Sequence, residues 1–483
     1  MSLRQKAIKG GAFLLVRQAI GIVLSVVGVL LVTRIIGPRQ YGLFAAAVGI
    51  VTFLHTFGNW GLDVYLLRKT GDPEEKEFHQ AFTLLLLIAV VLCIGVVALR
   101  HIVAAFLKMP EESSLLFALA LTIPLNMLAL PAIVKLDRDL NFKQVATNEL
   151  VSQTSYYAIA VPLAFRGFGA WAPAAGFLTQ QASLLALSYR AAKFRPGLQW
   201  ERGLVKQMLA YGLSYSSSVW VYQLRDLVNP IVVGRFAGAE AVGYVALGVR
   251  IAGLLSFAKT ATWRIAMPAL AKLNKDAVRL RRSITEGMRF QAVSVGLPLA
   301  SFALLAPFLI PLGFGHNWTS AAKVFPFIAL GYLSNAMFNL HCSALYMLGK
   351  NMQVTCFNIV HVVLFAGSAA LLVPRVGFVG YGWAELVALP SYVIIHLFLA
   401  RAVGSPSYGA PAIWYATTVC AIVLGALGVP ALYFGFAALF APLFFRKERG
   451  TLAGYAQVLS SRVAASRPHR CESYGHAAEQ RPR

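Results

Sequence analysis

The stretch GAFLLVRQAIGIVLSVVGVLLVT, residues 11–33, decides the fold class. It carries one ionisable side chain, Arg17, and is long enough to cross a bilayer, whose roughly 30 Å hydrocarbon core takes ~20 apolar residues. Arg4, Lys6 and Lys9 precede it in the manner of a signal peptide. The apolar run is too long for the h-region of one, and no convincing small-residue cleavage site follows it. It reads as a first membrane helix that is retained.

Working outward, comparable runs recur as far as residue 445, with no break between them long enough to fold into a domain of its own. They place spans at about 11–33, 41–62, 80–100, 114–134, 147–166, 169–189, 207–234, 240–263, 286–312, 322–347, 353–373, 378–400, 411–428 and 430–445. The expected fold is all-α: a polytopic membrane protein of about 14 transmembrane helices. Hydrophobic residues make up 58% of the chain and charged residues 13%, about half the charged share of a soluble domain.

The net charge of +24 could suggest nucleic acid. However, the basic residues punctuate the spans, as topology signals do, and no nucleic-acid partner is expected. With the N-terminus inside, the N-terminal segment, the loops after even-numbered spans and the tail hold 30 Lys and Arg, against 8 in the opposite loops. That bias predicts cytoplasmic N- and C-termini. The tail from Arg446 is polar and basic, which predicts disorder.

One internal echo bears on architecture. Arg34-Ile-Ile-Gly37-Pro-Arg-Gln-Tyr-Gly42 follows span 1, and Arg235-Phe-Ala-Gly238-Ala-Glu-Ala-Val-Gly243 follows span 7. Arg, Gly and Gly recur at one spacing, 201 residues apart, on the same side of the membrane. Two six-helix units in one orientation imply a pseudo-twofold along the membrane normal, with a pathway between the lobes. The expected division is 1–206 and 207–402 as the two lobes, 403–445 as an extra helix pair and 446–483 as the tail.

Ionisable groups inside a span cost roughly 2.5–3.5 kcal/mol on an insertion scale, so each asks for a reason. In span 7, Tyr211, Tyr215, Ser218, Tyr222, Arg225 and Asn229 share one helical face. Lipid cannot satisfy that stripe, which must face protein or water. Arg250 lies mid-span in span 8. Arg17 lies in span 1 with Gly21, Ser25 and Gly28 near its face. Arg225, Arg250, Arg17, Tyr222 and Asn229 are the expected cavity lining. Asp226 and Glu385 are the candidate ion-coupling carboxylates. Lys259 and Arg289, nearer span ends, read as snorkelling to the interface, and His361 and His396 as hydrogen-bonded packing residues.

No Walker-type loop, dinucleotide fingerprint or metal cluster is present in the sequence. Cys93, Cys342, Cys356 and Cys420 fall inside spans and Cys471 in the tail, none at metal-ligand spacing. Neither an enzyme nor a cofactor is expected.

Arg34-Ile-Ile-Gly-Pro-Arg-Gln-Tyr-Gly-Leu-Phe44 resembles the first-loop signature of bacterial polysaccharide exporters in the multidrug/oligosaccharidyl-lipid/polysaccharide superfamily. Leu140-Asn-Phe-Lys143, Arg195-Pro-Gly-Leu-Gln-Trp200 and Phe314-Gly-His-Asn-Trp318 resemble its colanic acid exporter branch. The likeness covers roughly residues 1–400. It implies a MATE-like Wzx-type flippase moving undecaprenyl-diphosphate-linked oligosaccharide across the bacterial inner membrane, for O-antigen, capsule or exopolysaccharide. Its partners would be that lipid-linked oligosaccharide, membrane lipids, and a polysaccharide polymerase with its chain-length machinery. A drug-type small-molecule cation antiporter shares the fold, but would want buried carboxylates to dominate over arginines. A membrane glycosyltransferase or polymerase would need an acidic site on a substantial loop, and these loops are short.

Overall fold

In the computed structural model the described residues are 3–69, 71, 73–259, 262, 276–427, 429–446, 448–450 and 453–454. They form helices with no strand among them. This follows from the solvent: in hydrocarbon every peptide N–H and C=O must be satisfied within the span. The chain runs α1 Leu3–Asn59, α2 Leu62–Arg68, α3 Glu75–Leu107, α4 Glu112–Ala120, α5 Thr122–Arg138, α6 Phe142–Phe165, α7 Trp171–Ala192 and α8 Arg202–Gln223. It continues as α9 Gly234–Leu255, α10 Ala277–Ser294, α11 Gly296–Phe314, α12 Ala321–Met347, α13 Asn351–Val376, α14 Val379–Ala388, α15 Tyr392–Val403, α16 Gly409–Ala426 and α17 Val429–Phe440.

Among the described residues, nine helical segments are long and apolar enough to cross a membrane, and the chain is a multi-pass membrane protein. Two of the nine, Ile20–Asn59 and Ser216–Leu255, are 40 residues long, twice what one crossing takes. Both contain a break where the sequence echo falls. Gly37 has φ 75° and ψ 171°, and Gly238 has φ 84° and ψ 176°. The two breaks, 201 residues apart, share a conformation that residues with a Cβ rarely adopt.

The two breaks also pack on each other reciprocally. A Cβ on Gly42 would lie 1.7 Å from the carbonyl oxygen of Ala239, and one on Gly243 would lie 2.2 Å from that of Pro38. Shifted by 201, each pair becomes the other. The arginines that open the motifs cross over in the same sense. Arg34 donates to the carbonyls of Leu312 (3.2 Å) and Gly313 (3.3 Å) at the end of α11. Arg235 stacks over Phe106, 5.4 Å from its ring centre, at the end of α3. Trp318, buried after α11, donates to the carbonyl of Thr33 at 3.2 Å and packs edge-on against Tyr41 at 5.7 Å. This end of the bundle is therefore closed by backbone-to-backbone contact.

The expected single helix over 207–234 is corrected. α8 stops at Gln223, a 3-10 turn spans Leu224–Leu227, and a π turn spans Val228–Val233. Pro230 is the physical reason: it lacks an N–H, and its ring crowds the carbonyl four residues earlier, so the spiral tightens and then widens. The face shared by Tyr222, Arg225 and Asn229 on an ideal helix is thereby dispersed. The reading of Arg289 as a snorkelling residue is also corrected. Arg289 is buried, and its Nε and Nη2 donate to Glu448 Oε2 at 3.1 and 2.5 Å, where Trp414 Nε1 also donates at 2.7 Å. Glu448 folds back from the segment after α17 onto α10. The rest of the tail, 455–483, and its expected disorder lie outside the described residues.

The glycine seam predicts that Gly42→Ala and Gly243→Ala each cost about 1–3 kcal/mol through overpacking. Thermal unfolding of the detergent-purified protein checks this, and an unchanged midpoint in both variants would mean the two breaks do not meet.

Candidate functional site

Beneath that closed end lies a cavity of about 660 Å³, walled by α1, α6, α7, the break after α8, and α9. Arg17, Ser25, Gln153, Gln180, Asp226 and Arg250 supply its polar lining, and Tyr41, Tyr156 and Phe177 much of its aromatic wall. The three small or charged positions of α1 fall here for a helical reason: Arg17, Gly21 and Ser25 are four residues apart and face one way. Gln153 on α6 donates to the carbonyl of Gly21 at 2.9 Å and to Ser25 Oγ at 2.7 Å. Arg250 Nη2 approaches the same Ser25 Oγ at 3.5 Å. Arg17 Nε lies 3.0 Å from Glu149 Oε2, so that carboxylate, near the end of α6, holds one edge of the guanidinium.

Two guanidiniums with amide and hydroxyl neighbours form a site suited to a doubly charged oxyanion, which planar N–H forks grip in pairs. Asp226 is the sole carboxylate among the described lining residues.

The broken helix sends the remaining sequence-picked residues elsewhere. Arg225 lines neither this cavity nor a second one described below. Its Nη2 donates to Glu385 Oε1 on α14, with the guanidinium carbon 5.3 Å from the Phe365 ring centre on α13. Glu385 is buried at 1% exposure, and the Arg225 side chain is 12% exposed. Asn229 donates to the carbonyl of Val242 at 3.3 Å, tying the π turn to α9. Tyr222 faces the second cavity, and the Tyr215 side chain lies outside the described residues. Of the expected lining the structure thus gathers Arg17 and Arg250 in one place, with the candidate ion-coupling residue Asp226, and disperses Arg225, Tyr222 and Asn229, with Glu385, the other candidate coupling residue, also elsewhere.

Sequence reasoning missed several contributors. Neither Glu149 nor Gln153 is among the expected site residues. The signal for both was available: they sit four apart on α6, at a spacing that matches Arg17, Gly21 and Ser25 on α1. Lys259, read as snorkelling, points inward and donates to Asn335 Oδ1 on α12. His361 and His396 do pack as expected, His361 Nδ1 2.9 Å from Ser391 Oγ and His396 Nδ1 2.7 Å from the Tyr408 hydroxyl. Among the described residues no cluster of His, Cys, Asp or Glu could hold a metal ion.

Over 316 residues, 64% of its length and 62% of the relative's, this chain is 29% identical to the "Succinoglycan biosynthesis transport protein ExoT" of Rhizobium meliloti (strain 1021). Over 84% of each chain it is 22% identical to the "Lipopolysaccharide biosynthesis protein WzxC" of Escherichia coli (strain K12). Among solved structures, "Lipid II flippase MurJ, inward closed conformation" superposes with a TM-score of 0.71 over 91% of this chain and 99% of that one, at 13% identity. An inward-facing MATE family multidrug transporter superposes at 0.53 with 15% identity. These two likenesses establish the fold. The model of the family described as "Polysaccharide biosynthesis protein" matches residues 31–323, more than half of the sequence, and the chain belongs to that family.

Proposed function

We propose that this chain is a flippase that carries undecaprenyl-diphosphate-linked oligosaccharide across the bacterial inner membrane, with both termini cytoplasmic. The observation that carries the reading is the central cavity, in which Arg17 and Arg250 stand against a single lining carboxylate. A lipid diphosphate needs cationic partners in a low-dielectric path, and guanidiniums supply them without losing their protons. Outward passage of an anion from a negative cytoplasm is favoured by about 2.3 kcal/mol per charge per 100 mV. An organic-cation antiporter would want the opposite charge balance in this cavity.

The architecture we propose is a lobe of residues 1–206, a lobe of 207–402, the helix pair 403–445 and the tail 446–483, with the lobes meeting at the glycine seam. Asp226 is the carboxylate placed to exchange a proton or cation with the cavity. Glu385 serves with Arg225 to hold α8, α13 and α14 together. A polymerase and its chain-length machinery would take the product at the outer face.

Arg17→Ala and Arg250→Ala should each lower export by about tenfold or more at normal membrane abundance, the loss of one charge-assisted contact being roughly 1.5–3 kcal/mol. Arg250→Lys should recover only part of it. Full export in both alanine variants would reject the diphosphate site.

Arg225→Ala should act differently, because it strands a buried carboxylate at a cost of roughly 3–5 kcal/mol. Membrane abundance should fall with export, and the apolar double replacement Arg225→Met with Glu385→Leu should restore abundance. Normal abundance in Arg225→Ala with lost export would move Arg225 into the substrate path.

Reporter fusions after residues 69, 194 and 350 should score as cytoplasmic and those after 37, 109 and 315 as periplasmic. The reverse pattern would invert the proposed orientation.

A further inference from the structure

A second cavity, of about 610 Å³, is lined mainly by the later half of the chain, with Arg68 of α2 joining it, and has no part in the diphosphate site above. Three of the helices that wall it each turn a periodic face inward. On α12 these are Asn335, Phe338, Asn339, Cys342 and Tyr346, at i, i+3, i+4, i+7 and i+11. On α13, Asn351, Val354 and Asn358 recur at intervals of three and four. On α8, Ser218 and Tyr222 are four apart. Such faces, rich in amides and phenols, are costly in a membrane unless they face water, protein or a ligand. Its volume lies in the usual range for ligand sites, about 300–1,000 Å³.

The chemistry of the lining is specific. Phe338 and Phe357 pack around Tyr392, with ring centres 5.0 and 5.4 Å from it, forming a rigid aromatic wall. The amides of Asn335, Asn339 and Asn358 each offer a donor pair and an acceptor, the match for vicinal hydroxyls. Two cations, Lys259 and Arg68, complete the site, and no Asp or Glu is among its described lining residues. Asn335 holds the Lys259 ammonium by one contact, and an ammonium has three donors. Aromatic faces with amides suit the C–H faces and hydroxyls of a sugar. Two cations without an acid suit a sugar that bears a carboxylate, and disfavour an organic cation.

We propose that this cavity binds the glycan of the lipid-linked substrate, and that Lys259 and Arg68 make it selective for sugars carrying a carboxylate. The proposal rests on the flippase reading for the origin of its ligand. Consecutive residues of α8 serve the two cavities: Tyr222 lines this one and Gln223 the central one. The same helix thus forms part of the wall for the lipid diphosphate and for its sugars.

The test uses full-length protein in lipid nanodiscs and isothermal titration with three probes. These are an oligosaccharide containing glucuronic acid, the same oligosaccharide with its carboxyl reduced to the alcohol, and a short-chain isoprenyl diphosphate. Wild type should bind the acidic glycan about tenfold more tightly than the reduced one, as expected for one charge-assisted contact. Lys259→Gln and Arg68→Gln should each shrink that preference, and the double variant should abolish it, with diphosphate binding unchanged. Lys259→Arg should keep the preference. Arg68 lies at an exposed position, so its replacement gives a reading even where Lys259→Gln fails to fold. Equal binding of the two glycans by wild type, binding of neither, or a preference that survives the double variant would overturn the proposal. Selective glycan binding together with diphosphate binding that ignores Arg17 and Arg250 would instead reject the flippase reading and leave this site standing.

Discussion

Hydrocarbon offers no hydrogen-bond partner to a peptide group, so a spanning chain can leave the helix only where protein or water covers the break. Three breaks matter in this molecule, and each sits where that condition is met. The breaks at Gly37 and Gly238 lie against one another, and the backbone of each covers that of the other at Gly42 and Gly243. The break after Gln223 lies between the central cavity and the helices α9 and α13, where the Asn229 amide bonds to a backbone carbonyl. Everything functional is arranged around these interruptions. The seam closes one end of the path, and the tightened and widened turns after α8 aim Asp226 into the cavity and Arg225 away from it.

The contrast between the two kinds of intramembrane arginine follows from their neighbours. Glu385 is buried and Arg225 mostly so, and each charge would be costly there without the other; the pair holds elements together and leaves little charge for a ligand. Arg17 and Arg250 border a space that water can fill, and their polar neighbours are mostly neutral amides and hydroxyls, with Glu149 beside one edge of Arg17. In the function proposed, a guanidinium in that setting exchanges water for phosphate oxygens. The Arg225 pair is closed off by protein, whereas Arg17 and Arg250 border an open cavity.

Much of this was legible in the sequence, and the limits have physical causes. The recurring apolar runs were sufficient for an all-helical, multi-pass membrane fold, and the repeated Arg–Gly–Gly motif marked the two helix breaks at Gly37 and Gly238, because hydrophobic length and glycine spacing are local properties. The cavity residues Arg17, Arg250 and Asp226 were found because charge in a span is costly wherever it points. What failed was the common face of Tyr222, Arg225 and Asn229, which assumes an unbroken 3.6-residue period. Pro230 was visible in that stretch, and its effect on the turn before it is the signal that was passed over. Pairings such as Arg225 with Glu385, or Arg289 with Glu448, join residues about 160 positions apart. No periodicity along the chain encodes them.

The two cavities differ in a way that bears on how one protein could handle an amphipathic substrate. The central one sets two guanidiniums against one lining carboxylate, in a low-dielectric setting that makes each contact strong and therefore slow to release. The second spreads recognition over amides and aromatic faces, whose contacts are individually weak and exchange readily with water. A carrier must bind firmly enough to desolvate a diphosphate and loosely enough to let the sugars leave on the far side. In the function proposed, dividing the substrate between a charged site and a polar, aromatic one would meet both demands within a single bundle. α8, broken by Pro230, lies where a shift in one would be felt by the other.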